Sequence, residues 1–175
     1  MSLTGILDLL DADRAVSEVL RLAREGGEPL VDVTGPPGLR APLVAALARS
    51  TPAGAGRTVL AVTATGREAE DLATALRCFI PAHAVAEFPA WETLPHERLS
   101  PRSDTVGRRL AVLRRLAHPE ADGEGGPVQV IVAPVAAAVT ETDEMTGAVV
   151  SGNVVKEDPL EVRRFPAASL ERTRK

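Results

Sequence analysis

The chain has 175 residues, 45% of them apolar and 25% charged, with a net charge of −4. That is room for one domain or slightly more, and it excludes both wholesale disorder and two full-sized domains. Aromatic residues make up only 2% (Phe79, Phe88, Phe165 and Trp91, with no tyrosine), which excludes a ring platform for single-stranded nucleic acid, and the acidic balance argues against a dedicated nucleic-acid-binding domain.

From the N-terminus, Leu3 to Leu10 reads as a short apolar helix. Asp11 or Asp13 can cap a second helix running to Arg24, with Ala15, Val16, Val19, Leu20 and Ala23 on one face and Gly26-Gly27 as its stop. Leu30 to Val33 reads as a strand, followed by a Gly/Pro turn and a helix from Ala41 to Arg49. Thr58 to Ala64 is a β-rich apolar run of the kind buried on both faces of a sheet. Thr65 and Glu68 form a capping box for a helix with Ala69, Leu72, Ala73, Leu76 and Phe79 at helical spacing, ended by Pro81. Ala84 to Phe88 gives a third strand, and a proline-punctuated loop leads to Ser103. Asp104 is placed to cap a helix whose stripe is Val106, Leu110, Leu113 and Leu116. A glycine-rich loop then precedes a fourth strand, Val128 to Ala133.

This alternation predicts an α/β fold: a partial RecA-like, P-loop-NTPase-type parallel sheet with flanking helices. The pattern changes after Val139. Residues 1–139 are expected to form one α/β subdomain. Residues 140–175 are expected to be a divergent tail, with a hairpin of Gly147 to Val150 and Asn153 to Lys156 capping a sheet edge or left loose. From Pro159 the tail is expected to be loose, because Arg163, Arg164, Arg172, Arg174 and Lys175 repel one another.

Three segments carry chemistry worth weighing. Thr34 to Ala41 sits where a phosphate-binding loop sits, between a strand and a helix N-terminus. With Gly38 aligned to the last glycine of such a loop, Leu39 falls at the lysine position and Arg40 at the hydroxyl position. Pro36 and Pro37 remove two N–H donors. Gly35, Gly38, Leu39 and Arg40 therefore make a degenerate loop, equally a plain β–α turn, and no cofactor, metal or catalytic residue is expected. The second segment, Phe88 to Asp104, is a long loop holding the sole tryptophan, Trp91, which either plugs the loop onto the sheet or serves a partner. His96, Glu92 and Glu97 lie too close together in extended chain to converge on a metal, and Ser100 has no base beside it. The third is the run Arg98, Arg102, Arg108, Arg109, Arg114 and Arg115, with Arg108 and Arg115 sharing a helical face. It is either a weak phosphate-contacting surface or a solvated helix face.

The lone cysteine, Cys78, cannot form an internal disulfide and suits a reducing compartment. No stretch of 18 apolar residues and no signal peptide is visible, so the expectation is a cytoplasmic protein with no membrane partner.

Phe88 to Leu116, F-P-A-W-E-T-L-P-H-E-R-L-S-P-R-S-D-T-V-G-R-R-L-A-V-L-R-R-L, closely resembles the N-terminal, UvrB-like region of the bacterial transcription-repair coupling factors (Mfd). Val62 to Leu72 and Val130 to Val135 look like the same family, and an actinobacterial-type member would account for the arginine and alanine content. The resemblance covers roughly Leu3 to Val139 and weakens from Ala136 onward. It implies a RecA-like module that has lost its ATPase motif, in agreement with Leu39 and Arg40. In the full-length family, ATP and Mg²⁺ drive a DNA translocase that displaces stalled RNA polymerase and recruits UvrA in nucleotide excision repair. The implied partners are the factor's other domains and, through them, UvrA and RNA polymerase. The alternatives are a nucleotide-binding enzyme with an unusual phosphate loop, and a stand-alone interaction or nucleic-acid-binding domain. On the leading reading, Trp91, Arg98, Arg102, Arg108, Arg109 and Arg115 are the candidates for weak DNA or partner contact.

Overall fold

A computed structural model describes residues 3–27, 30–91, 102–119, 127–141 and 162–163. The first helix, α1 (Thr4–Asp11), buries Leu7. Of the two aspartates able to cap the second helix, α2 (Arg14–Glu25), the structure uses Asp13, whose Oδ1 accepts from the N–H groups of Ala15 and Val16. Asp11 pairs with Arg49 instead. After β1 (Asp32–Val33), a 3₁₀ turn over Pro37–Leu39 leads into α3 (Arg40–Leu47). The strand β2 (Val59–Thr63) is followed by α4 (Gly66–Leu76). Thr65 Oγ1 accepts from Glu68 N–H, and the Glu68 carboxylate reaches back to Ala64 N–H, one residue beyond the usual reciprocal bond of a capping box. Then come β3 (Val85–Glu87), α5 (Ser103–Ala117), β4 (Val130–Pro134), α6 (Val135–Glu141) and β5 (Val162–Arg163).

The α/β class and the parallel sheet are as the sequence predicts, with one strand fewer. Among the described residues the sheet is three-stranded in the order β2-β4-β3, all parallel, with Val130 opposite both Val59 and Val85. Every position of β4 is buried, which is why it reads as an unbroken apolar run. Its side chains alternate between two clusters. Val130 and Val132 face α1 to α4, joining Leu7, Val16, Leu20, Leu43, Leu72 and Leu76. Ile131 and Ala133 face the other way, joining Ala86, Phe88, Val112, Val128 and Ala137.

Two expectations are corrected. The first predicted strand is not in this sheet. β1 has two residues, with Asp32 exposed, and pairs antiparallel with β5, Asp32 opposite Arg163 and Val33 opposite Val162. A strand with an open polar position suits a small peripheral ladder better than a sheet buried on both faces. Val162 and Arg163 fall within the segment expected to be a loose tail, and they are the partners of this short ladder. The predicted hairpin at 147–156 lies outside the described residues, and α6 runs across the expected boundary between 139 and 140. Finally, Asp104 does not cap α5. The helix starts at Ser103 after Arg102, and Asp104 accepts from Arg108 one turn later.

Candidate functional site

The degenerate loop is closed on itself. Leu39 N–H donates to the Pro36 carbonyl at 2.9 Å, and Arg40 N–H donates to the Pro37 carbonyl. A phosphate cradle needs those amides pointing at a ligand, and here Pro36 and Pro37 have no N–H while the amides of Leu39 and Arg40 are spent inside the turn. Gly38 has no positive φ, and a Cβ added there meets nothing within 4 Å. So neither backbone freedom nor a close approach calls for glycine. Leu39 and Arg40 are half-buried, at the positions where a nucleoside triphosphate with Mg²⁺ would call for a lysine and a hydroxyl.

The arginine run separates into different environments. Arg109, grouped by sequence with the surface cations, is 2% exposed. Its guanidinium lies 4.1 Å from the centroid of the Phe88 ring and 4.2 Å from that of Trp91, and its Nη1 donates to the Pro89 carbonyl at 2.5 Å. Planarity lets one cation stack on two rings while still donating in its own plane. Phe88 is buried, whereas Trp91 is half-buried, less than full plugging of the loop would give. Arg109 therefore fixes the start of the Pro89 to Pro101 loop from beneath and offers no surface to phosphate.

Arg108 is exposed and donates to Asp104 Oδ2 through Nε at 3.1 Å and Nη2 at 2.5 Å, which holds its guanidinium above the ordinary arginine value. Arg115 donates to the His83 carbonyl, tying α5 to the turn before β3. Arg114 is exposed, and its guanidinium has no partner among the described residues. Arg102 is exposed just before the helix. Arg98, Glu92, His96, Glu97 and Ser100 lie outside the described residues. Among the described residues there is no cluster of three or more His, Cys, Asp or Glu that would hold a metal, and no helix is long and apolar enough to cross a membrane.

The predicted stripe of α5 is also rotated. Thr105, Arg109 and Val112 are buried, with Leu113 and Leu116 packed at the margin, whereas Leu110 is 60% exposed. The signal was present: positions 105, 109, 112 and 116 also recur at helical spacing. It is hidden only because one member is an arginine, and arginine is almost never fully buried without partners.

No family model matches the chain. Over 134 residues, 76% of the chain, it is 45% identical to the transcription-repair-coupling factor of Mycobacterium bovis, and it is equally similar to that of Mycobacterium tuberculosis. The matched stretch spans about a tenth of the length of those curated relatives, 10% in each case. The chain resembles the N-terminal region of these coupling factors, as its W-E-T-L-P loop predicts.

Proposed function

We propose that this chain is a non-catalytic module of the transcription-repair coupling type, working in nucleotide excision repair as one part of a much longer factor. The observation that carries the non-catalytic part is the self-closed turn at Pro36 to Arg40. It occupies the place of a phosphate loop and spends the Leu39 and Arg40 amides internally. The rest follows from the resemblance to the coupling factors. ATP and Mg²⁺ would act in motor domains elsewhere in the factor, and this module would support the factor's resting state and its recruitment of UvrA at stalled RNA polymerase. DNA contact by the module itself would be weak, since Arg109 is internal and Arg108 is neutralised by Asp104. The reading places the protein in the cytoplasm.

Calorimetry with Mg-ATP tests it. The expected result is no saturable heat at micromolar nucleotide, because the lysine and hydroxyl that bind the γ-phosphate and Mg²⁺ are missing. Micromolar binding that is abolished by Gly38→Asp would overturn the reading and promote the nucleotide-enzyme alternative.

A further inference from the structure

The outward face of α5 departs from ordinary helix design at two positions that flank one depression. Leu110 stands 60% exposed while its neighbour Arg109 is buried, an inversion of the usual preference. Gly107 sits inside the helix, yet a Cβ there meets nothing within 4 Å, so the fold accepts the helix-weakening cost of glycine with no packing reason of its own. Between them lies a depression of about 390 Å³ lined by Gly107, Leu110, Ala111, Arg114 and Arg115.

We infer that this face of α5 docks an acidic amphipathic helix from a partner protein. Gly107 and Ala111 let a second backbone approach closely, and Leu110 supplies the apolar anchor, as in helix-in-groove recognition. The charge around the depression specifies the sign of the partner. Arg114 and Arg115 border it, and the Arg114 guanidinium has no partner among the described residues. A carboxylate on the incoming helix would find that guanidinium open. Nucleic acid fits less well. Arg108 is engaged by Asp104 and Arg115 donates to the His83 carbonyl, so Arg114 remains as the open guanidinium among the described residues of α5. Duplex binding draws its strength from many neutralised phosphates, and an exposed leucine contributes nothing to that. The inference rests on α5 alone and does not depend on the coupling-factor reading.

The test uses the full chain and a fluorescent synthetic peptide of about four helical turns, with leucines at i, i+4 and i+7 and glutamates elsewhere. Its controls are the same peptide with lysine for glutamate, and a short duplex DNA. Saturable binding of the acidic peptide is expected, weakened roughly tenfold or more by Leu110→Asp and by Arg114→Glu, as for removal of central interface contacts. The lysine peptide should not bind. Gly107→Leu is the sharper variant: it should hold or raise the melting temperature of the free protein, because leucine favours helix, while blocking the peptide. Absence of saturable acidic-peptide binding, or binding indifferent to Leu110→Asp and Gly107→Leu, overturns the inference. Tighter binding of the duplex than of the peptide, lost with Arg114→Glu alone, overturns it in favour of a nucleic-acid surface.

Discussion

The two faces of the sheet are closed by opposite chemistries. Toward α1 to α4, β4 presents Val130 and Val132 to a large aliphatic cluster in which Leu76 is 0% exposed. Toward α5 and α6 it presents Ile131 and Ala133 to a smaller cluster covered by an arginine held between two rings and a carbonyl. The first face is stabilised by volume and apolar area, which many side-chain combinations supply. The second depends on one planar cation meeting several partners at once, and it tolerates little exchange. That contrast teaches where substitutions will be read as lost packing and where as lost geometry.

The largest effect should come from the aliphatic side. Leu76→Ala removes a fully buried leucine and should cost about 2–5 kcal/mol in urea unfolding, with an unchanged m-value. A loss under about 1 kcal/mol would mean that the cluster collapses onto the space and is less rigid than its burial indicates.

Arg109 sharpens the other half of the comparison. Arg109→Met keeps much of the length and apolar stem but removes the cation and the donor to Pro89. The expected loss is about 2–4 kcal/mol, given up to about 2 for each desolvated cation–π contact, with Trp91 emission shifted to the red. Arg109→Lys retains charge without the planar stack, and should recover less than half of that loss. Full recovery by lysine would show that charge alone closes this face. Trp91→Ala should cost less than Arg109→Met, about 1–2 kcal/mol, because the ring is half-buried and contributes chiefly through the stack.

These contrasts mark what was legible beforehand. The strands β2 and β4 were plain in the sequence because continuous Val, Ile and Leu runs have one structural use in a short segment. α4 was equally plain, since the Thr65–Glu68 box and the Ala69, Leu72, Ala73 and Leu76 spacing agree with each other. The departures of Thr34 to Ala41 from a phosphate loop were readable at Pro36, Pro37, Leu39 and Arg40, whereas the bonds from the Leu39 and Arg40 amides back to Pro36 and Pro37 leave no mark in the sequence. The environment of Arg109 was not legible. Its partners Phe88 and Trp91 lie about twenty positions upstream, and helical spacing alone gives two competing stripes on α5. The partnership of β1 was hidden for a related reason, as pairing across some 130 residues leaves no local pattern.

Two smaller effects complete the comparison at the helix ends. Thr65→Ala deletes the cap that accepts from Glu68 N–H and should cost about 1 kcal/mol, read as a small drop in melting temperature. Gly38→Ala should do the reverse. With no positive φ and open space at the Cβ position, alanine narrows the unfolded ensemble and should add about 0.4–1 kcal/mol. Destabilisation by Gly38→Ala would point to a strained loop and reopen the question of a ligand there.

The strand order β2-β4-β3 also sets a calendar for assembly. Among the described strands, β2 and β3 do not bond to each other; both bond to β4, which comes after them in the chain. During synthesis, then, no part of the sheet can form until residues 130–134 have left the ribosome. Until that moment two apolar strands wait with unpaired edges, shielded only by the helices already made. A chain stopped after residue 119 should therefore show helical circular dichroism, bind a hydrophobic dye and aggregate readily. Completion through β4 should convert it to a cooperatively melting protein in one step.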